Sequence, residues 1–286
     1  MLIAILAALA ASADLVAVAP AVPPAIYTDP VQDRKSPAAM EVLHIPSGDV
    51  AINGVAYLAA GAGPNPTLVI FHGLPGNEKN LDLAQAVRRA GWNAVTFNYR
   101  GSWGSPGPFR FANVLADGPA VLTYLRANAA KLRINPARIA IAGHSMGGWA
   151  VAHTAAHDPS LAGAILISAA NLGDLGLTHD RALADMADNL ETLAATDPTQ
   201  MVAELERDKA QLDWANAVPG LARAPLLILS SDDGGAPATD ALARQVGAMT
   251  GARVKAVHVA TDHGWSDRRI RLQSEIIAWL GELTRK

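Results

Sequence analysis

Apolar and polar positions alternate along this chain with two periods, one typical of buried strands and one typical of helices. Short apolar runs predict strands at residues 40–45, 50–58, 66–71, 93–97, 138–142, 164–168, 226–229 and 254–259. Helical spacing predicts helices at residues 81–90, 111–128 and 270–283. Turn-forming residues join the first two runs as an antiparallel pair, and the later strand–helix alternation indicates parallel strands. We therefore expect an α/β fold: a three-layer α/β/α sandwich around a mostly parallel eight-stranded sheet with an antiparallel start.

One interval, residues 171–224, interrupts this alternation with helical patterns at residues 181–195 and 198–215. Thr196 or Asp197 would cap the second helix, with Pro198 as its first residue. An insertion of this length before the seventh strand is longer than ordinary connecting loops. It is expected to form a small helical lid above the strand ends, either as a mobile gate or as a fixed part of the structure.

The chain divides into an amino-terminal segment, residues 1–39, and a main domain, residues 40–286. Residues 1–13 are apolar and end in Ala-Ser-Ala, a pattern typical of a signal-peptide cleavage site, although no Lys or Arg precedes the apolar core. Residues 20–37 are rich in proline, which is typical of a linker or of a strap that lies on the protein surface. These features predict export to the periplasm or the medium, and a cytoplasmic location if the segment is not cleaved.

Composition narrows the class of function. The net charge is −3 and the basic residues are scattered, so the sequence has no basic patch of the kind that binds nucleic acid. The chain has no cysteine, which excludes disulfides, thiolate metal sites and a cysteine nucleophile. No metal-binding motif, phosphate-binding loop or membrane-spanning run is present, so we expect no metal, no cofactor and no stable membrane span. The oligomeric state is left open.

The most informative motif is Gly-His-Ser-Met-Gly at residues 143–147, which lies between a predicted strand and a predicted helix. This is the context of a nucleophile elbow, in which a serine occupies a strained turn and glycines avoid collisions around it. The motif predicts Ser145 as a nucleophile. A serine hydroxyl needs a general base, which must in turn be oriented by an acid.

After a nucleophile elbow of this kind, the acid and then the histidine follow the serine along the chain, so both partners are expected downstream of Ser145. His263 follows the last predicted strand directly and is the candidate base, whereas His258 lies inside that strand pattern and is expected to be packed there. Asp232 and Asp233 both follow the seventh strand, and either carboxylate could orient the base. Asp262 is a weaker candidate because it is the immediate neighbour of the histidine.

An oxyanion formed during acyl transfer needs two backbone N–H donors. Met146 is expected to supply one, and Leu74, in the loop after the strand that ends at Phe71, is expected to supply the other. Trp103 and His144 are candidate pocket-lining residues. In the neighbouring loops, His72 and Arg100 are expected to be structural.

These residues together resemble the α/β-hydrolase fold family of serine hydrolases over residues 40–286. The loops at residues 72–76 and 99–105 are similar to the family's oxyanion loop and to its loop after the fourth strand, the latter with one additional residue. Ser230 to Pro237 resembles the family segment that carries the acid, with Ser230 and Ala236 as departures, and this resemblance favours Asp233. His263 matches the family histidine.

The resemblance implies a serine hydrolase that cleaves carboxylic esters, as esterases and lipases do. A serine peptidase or amidase with the same three residues is the alternative, although the sequence offers no clear acidic anchor for a substrate amino group; Glu78 and Asp174 are the candidates. A non-catalytic binding protein on this fold is less favoured because every catalytic position is filled. The ester hydrolase and the peptidase or amidase each require only a small-molecule ester or amide as partner.

Overall fold

We describe residues 19–285 of a computed structural model of the chain; the predicted signal segment, residues 1–13, lies outside this range. The strands are Ala39–Ser47 (β1), Val50–Leu58 (β2), Asn65–Phe71 (β3), Asn93–Phe97 (β4), Ile134–His144 (β5), Gly163–Ile167 (β6), Leu226–Ser230 (β7) and Val254–His258 (β8). The α-helices are Leu81–Arg89 (α1), Phe111–Ala127 (α2), Met146–His157 (α3), His179–Ala187 (α4), Pro198–Arg207 (α5), Lys209–Leu212 (α6), Val218–Leu221 (α7), Ala236–Gly247 (α8) and Arg269–Thr284 (α9). Short 3₁₀ helices occupy Pro24–Ile26 and Trp214–Ala217.

The strands form one eight-stranded sheet in the order β1-β2-β4-β3-β5-β6-β7-β8. β1 and β2 pair antiparallel, β2 also runs antiparallel to β4, and all later neighbours are parallel. The predicted α/β class and the antiparallel start are therefore confirmed. Because the parallel strands point the same way, the loops after β3 to β8 all emerge at one edge of the sheet, where ligands bind in such folds.

Both faces of the sheet are buried, which explains why its strands are almost continuously apolar. In β3, Leu68 and Ile70 pack into one apolar cluster and Val69 and Phe71 into the other. The first cluster also contains residues of α1 and α9, and the second contains residues of α2, α3 and the 171–224 interval. Alternate side chains thus fill two cores, and the helices that cover them complete the three layers.

The helices of the 171–224 interval differ from the prediction. The first predicted helix ends at Ala187 instead of Ala195, and the second divides into α5, α6 and a 3₁₀ helix. Asp197 caps α5 by accepting a hydrogen bond from Gln200 N, as predicted, with Pro198 as the first helical residue. The second division occurs at Asp213, whose side chain caps the 3₁₀ helix by accepting from Ala215 N.

None of the helices within residues 19–285 is long and apolar enough to cross a membrane.

Candidate active site

The turn between β5 and α3 has the backbone strain expected of a nucleophile elbow. Ser145 has φ 58° and ψ −123°, a combination that residues other than glycine rarely adopt. A Cβ on Gly143 would collide with Gly147 O, and a Cβ on Gly147 would collide with Phe71 O. The glycines of the motif are therefore required because the elbow packs backbone against backbone. This packing presents Ser145 at the carboxyl edge of the sheet.

His263 and Asp233 meet at the same edge, in the loops after β8 and β7. His263 Nδ1 lies 2.6 Å from Asp233 Oδ2, and because an ionised carboxylate only accepts, Nδ1 carries the proton. The His263 side chain is 47% exposed, whereas that of Asp233 is 8% exposed. The bond fixes the tautomer in which Nε2 is free to act as a base.

The electrostatics around Asp233 favour its charged form. Burial by itself raises the pKa of this carboxyl, but hydrogen bonds from His263, Gly235 N and the Ser231 hydroxyl outweigh it and lower the pKa to about 2. Gly235 N donates to Asp233 Oδ1 at 2.8 Å, so each carboxylate oxygen has its own donor. Asp233 therefore remains a fixed negative charge beside the imidazole over the whole physiological pH range.

The neighbouring carboxylate makes a separate pair. Asp232 Oδ1 accepts from His258 Nε2 at 2.9 Å, and His258 Nδ1 lies 3.0 Å from Ser230 Oγ. The expectation that His258 is packed inside the strand is wrong: it is the last residue of β8, and its side chain is 47% exposed. Asp232 and Asp233 lie in the turn that follows β7, and this turn directs the two adjacent carboxylates to different histidines.

His144, which precedes the nucleophile, faces the histidine loop. Its ring centroid lies 4.6 Å from that of His263, and its Nε2 donates to the His263 carbonyl oxygen at 2.7 Å. Burial, followed by the nearby His263, lowers the pKa of His144 to about 4. A neutral His144 thus ties the backbone of His263 to the elbow that carries Ser145. Its pocket-lining role stays a prediction.

The loop at residues 72–77 lies directly against the elbow. A Cβ on Gly73 would lie 3.1 Å from Ser145 Cβ, so only glycine allows this approach without displacement. His72 is buried, which lowers its pKa to about 4, and its Nδ1 donates to Gly73 O at 2.7 Å. The structural role expected for His72 agrees with this bond. Leu74 follows Gly73 directly and is half-buried.

Met146 lies at the other side of Ser145 as the first residue of α3. Its N–H has no acceptor within the helix, since the first N–H groups of a helix lack intrahelical partners. The N–H of Ser145 itself donates to Ile167 O at 3.0 Å and is not available to a substrate. The role of Leu74 and Met146 as oxyanion donors stays a prediction.

A segment of the insertion, residues 190–195, is bonded to the loop after β4; we call it the clamp segment. Trp103 N donates to Thr192 O at 3.0 Å, Ala194 N donates to Gly101 O at 2.8 Å and Phe109 N donates to Ala194 O at 2.9 Å. These bonds explain why the predicted helix ends early: the peptide groups here pair with another loop instead of with a helical turn. Sequence periodicity gave no signal of this pairing.

The clamp segment and Trp103 also hold the 72–77 loop. Pro75 O accepts from Trp103 Nε1 at 2.8 Å and from Thr192 Oγ1 at 3.3 Å. The Lys79 ammonium lies 3.9 Å from the centroid of the Trp103 ring, which is a cation–π contact. Trp103 thus braces the loop that contains Leu74, and its lining of a substrate pocket stays a prediction.

Arg100 has the structural role expected for it. Its Nε lies 2.7 Å from Asp117 Oδ1 and its N lies 2.8 Å from Asp117 Oδ2, and the Asp117 side chain is fully buried. The pair fastens the loop after β4 to α2. Among residues 19–285, no group of three or more His, Asp or Glu side chains is arranged to hold a metal ion.

Comparisons with known proteins identify the fold of the chain. A family model described as alpha/beta hydrolase fold matches residues 66–231, more than half of the chain. An esterase from Pyrobaculum calidifontis superimposes with a TM-score of 0.66 and 19% identity over 87% of this chain and 88% of that one. An acylaminoacyl peptidase from Pyrococcus horikoshii superimposes with a TM-score of 0.63 and 17% identity over 89% of this chain and 42% of that one.

Among curated proteins, two uncharacterized proteins of Mycobacterium tuberculosis are 26% identical to the chain over 144 residues. The chain spans about half the length of these relatives, and the match covers half of the chain. Identities this low to the solved structures show a shared fold, so the chemistry of this chain must be argued from its own residues.

Proposed function

The chain belongs to the α/β-hydrolase fold family, and from that premise we propose that it is a serine hydrolase that cleaves carboxylic esters through an acyl-enzyme on Ser145. The observation that carries the proposal is the strained elbow at Ser145, whose preceding residue His144 has its ring centroid 4.6 Å from that of His263, together with the bond from His263 Nδ1 to the buried Asp233 carboxylate. That arrangement supplies a nucleophile, a base of fixed tautomer and an orienting charge.

The proposed reaction has two halves. His263 Nε2 takes the proton of Ser145 Oγ as that oxygen attacks the ester carbonyl carbon, and Asp233 stabilises the resulting imidazolium. The carbonyl oxygen becomes an oxyanion and accepts hydrogen bonds from the N–H groups of Leu74 and Met146. The tetrahedral intermediate collapses to the acyl-enzyme, and the departing alkoxide takes the proton from His263.

Water completes the cycle. His263 takes a proton from a water molecule as its oxygen attacks the acyl carbon, and the same two N–H groups stabilise the second tetrahedral intermediate. Collapse breaks the bond to Ser145 Oγ, which regains its proton from His263. The products are one carboxylic acid and one alcohol, and no cofactor is consumed.

A panel of nitrophenyl esters of increasing acyl length, assayed with the wild type and with Ser145→Ala, tests the proposal. We expect turnover by the wild type and a loss on the order of 10³-fold or more in the variant, because the three residues act as a unit. Ser102→Ala is a matched control, since Ser102 is buried in a neighbouring loop and bonds to Tyr99 O. Equal turnover by Ser145→Ala and the wild type would overturn the assignment.

Peptide or amide hydrolysis is the second candidate, and the likeness to an acylaminoacyl peptidase favours testing it. Both candidate anchors for a substrate amino group have cationic neighbours. Asp174 lies 3.6 Å from Lys209 Nζ, and Glu78 lies 3.8 Å from Arg269 Nη2. These contacts support esters over amino-terminal peptide substrates, and aminoacyl and dipeptidyl anilides measure the difference.

A non-catalytic binding protein on this fold would retain the shape without the reaction. A fluorophosphonate probe distinguishes this case, since it labels only an activated serine. Labelling that is lost in Ser145→Ala supports the hydrolase, and a folded wild-type protein that is never labelled supports the binding protein.

Export, proposed from the small residues that end at Ala13, is independent of the reaction. Amino-terminal sequencing of the protein recovered from the periplasm of a bacterial host tests it, and a mature chain that begins at Asp14 is the expected result.

A further inference from the structure

A cavity of about 800 Å³ opens at the amino-terminal edge of the sheet, where β5, β6, β7 and β8 begin. These parallel strands run from this edge toward the edge that carries Ser145, so the cavity and the candidate active site lie at opposite ends of the same strands. Pockets of about 300–1,000 Å³ hold drug-sized ligands in proteins. The size of this cavity therefore suits a small organic molecule.

The floor of the cavity is apolar. Trp279 and Leu283, in the carboxyl-terminal half of α9, lie close to the start of β6. A Cβ on Gly163 would be 2.5 Å from the Trp279 ring and 3.2 Å from Leu283 Cδ1, so glycine is what lets the helix approach the strand here. Pro225 and Val254 complete the floor from the starts of β7 and β8. The floor therefore presents mainly carbon atoms, and it suits the apolar part of a ligand.

The rim of the cavity is cationic. Arg138, Arg253 and Arg285 line it and are exposed, and within residues 19–285 their side chains have no hydrogen-bond or ion-pair partner. Lys255 also lines the cavity, but its Nζ lies 3.4 Å from Oε2 of a buried glutamate on α9. Glu282 is the acidic member of the lining. Three guanidinium groups thus accompany one carboxylate, and the lining has a net positive charge.

The two edges of the sheet carry opposite charge. Residues 171–213, which follow β6 at the carboxyl edge, contain ten acidic and three basic residues. Residues 128–138, which lead into β5, contain three basic residues and no acidic one, and residues 248–255, which lead into β8, contain two basic residues and no acidic one. An organic anion is therefore attracted to the amino-terminal edge and repelled from the carboxyl edge.

We propose that this cavity binds an amphiphilic carboxylate, with its apolar body on Trp279 and Leu283 and its carboxylate on the arginines of the rim. A planar guanidinium group matches a carboxylate through two parallel hydrogen bonds and is less strongly hydrated than an ammonium. A neutral ligand would leave the arginines unused, and a small inorganic anion would leave the apolar floor in water. A ligand with both parts satisfies both surfaces. The site is remote from Ser145, so the proposal goes beyond the proposed reaction and does not depend on it.

NMR spectroscopy of the full chain locates the ligand. The chain has six tryptophans, and their indole N–H signals, once assigned, report separate parts of the molecule. Trp279 reports the cavity, whereas Trp265, two residues after His263, reports the carboxyl edge. Decanoate is the probe. Decyltrimethylammonium, which has a similar alkyl chain and the opposite charge, is the matched control ligand.

Decanoate should move the Trp279 signal in a saturable way and leave that of Trp265 in place, and decyltrimethylammonium should move neither. Calorimetry with hexanoate, octanoate and decanoate should show the dissociation constant falling about fourfold for each added methylene group that the floor buries. Arg138→Ala and Arg253→Ala should each weaken decanoate binding about threefold, the effect of losing one exposed ion pair.

Arg181→Ala is the matched control variant. It removes the same charge from an exposed arginine on α4, which belongs to the insertion at the carboxyl edge. Decanoate should bind this variant with the affinity of the wild type. Because Arg138, Arg253 and Arg181 are all exposed, none of the three substitutions should unfold the protein.

The proposal is overturned if decyltrimethylammonium moves the Trp279 signal as decanoate does, which would indicate an apolar cavity without recognition of charge. Movement of the Trp265 signal alone would place decanoate at the carboxyl edge. Equal weakening in Arg138→Ala, Arg253→Ala and Arg181→Ala would show an effect of net charge only. Flotation with phosphatidylglycerol vesicles by protein that does not bind monomeric decanoate would assign the rim to a membrane surface. Each of these outcomes overturns the proposal whether or not the protein hydrolyses esters.

Discussion

Replacing each of the two adjacent carboxylates separately tests which one orients the base. In Asp233→Asn, the carboxylate that accepts from His263 Nδ1 becomes an amide, which can donate to that nitrogen and stabilise the wrong imidazole tautomer. In Asp232→Asn, the same change falls on the partner of His258. The two substitutions are chemically identical and one residue apart, so each is the control for the other.

The structure gives magnitudes for the effects of Asp233→Asn on kcat and on the free energy of unfolding. The 2.6 Å bond is a short charge-assisted hydrogen bond, and loss of the correct tautomer should lower kcat by about 10⁴-fold, or about 5 kcal/mol of transition-state stabilisation. The pKa of Asp233 falls from its usual 3.8 to about 2 on folding. At about 1.4 kcal/mol per unit, this shift contributes about 2 kcal/mol to the free energy of unfolding.

The sign of the pH dependence follows from a lowered pKa. The stabilisation is complete above about pH 4, where the unfolded carboxyl is also ionised, and it is lost as the pH falls toward about 2. Urea denaturation at pH 7 should therefore show Asp233→Asn to be less stable than the wild type by about 2 kcal/mol, with the difference shrinking in acid. Asp232, with a side chain 60% exposed, should contribute less than about 1 kcal/mol.

The assay is ester hydrolysis at pH 7 with a substrate that the wild type turns over, together with the urea titrations. Asp232→Asn should retain kcat within about threefold of the wild type, because a solvent-exposed pair contributes little. The reasoning is refuted if Asp232→Asn loses more activity than Asp233→Asn. It is equally refuted if the stability difference for Asp233→Asn grows as the pH falls.

Three further predictions concern the scaffold of the site. Asp117→Ala removes the ionic partner of the Arg100 guanidinium and should lower the free energy of unfolding, measured in urea, by about 3–5 kcal/mol. Asp185→Ala removes the partner of Arg181 in an exposed pair on α4 and should cost at most about 0.5 kcal/mol. Similar losses in the two variants would contradict the argument from burial. Gly147→Ala should cost at least about 2 kcal/mol because its Cβ has no room, while Gly247→Ala, with no atom within 4 Å of its Cβ, should be neutral or stabilising in the same titration. The Ala194 amide, bonded to Gly101 O, should be protected in native-state hydrogen exchange, and exchange at an unstructured rate would show the clamp segment to be mobile.

Local patterns were sufficient to predict most of the sheet and the elbow. The strand runs matched the observed strands to within a few residues because a strand buried on both faces must be apolar throughout. The elbow could be read directly because its glycines meet backbone atoms a few residues or one strand away. The roles of Ser145, His263, Leu74 and Met146 in a reaction remain predictions that the proposed assays test.

The insertion was predicted less well, for a reason visible in its contacts. The pattern at residues 181–195 favours a helix throughout, but the clamp segment forms hydrogen bonds with the loop after β4, which is almost a hundred residues earlier in the chain. A hydrophobic period reports which side of a segment is buried, and it contains no information on a distant backbone that competes for the peptide groups.

The sequence by itself determined the fold class, the strained serine and the order of the polar loops, because each depends on neighbours along the chain or on the steric limits of glycine. Only the tertiary structure decided that Asp233 binds His263 while Asp232 binds His258, since two adjacent aspartates are equivalent until the backbone turns them apart. It alone brought Trp265, Ser168 and Ser231 together across separations of 97 and 63 residues. Those contacts follow from the parallel sheet, which gathers the ends of distant strands at one edge, and no pattern within a single segment contains them.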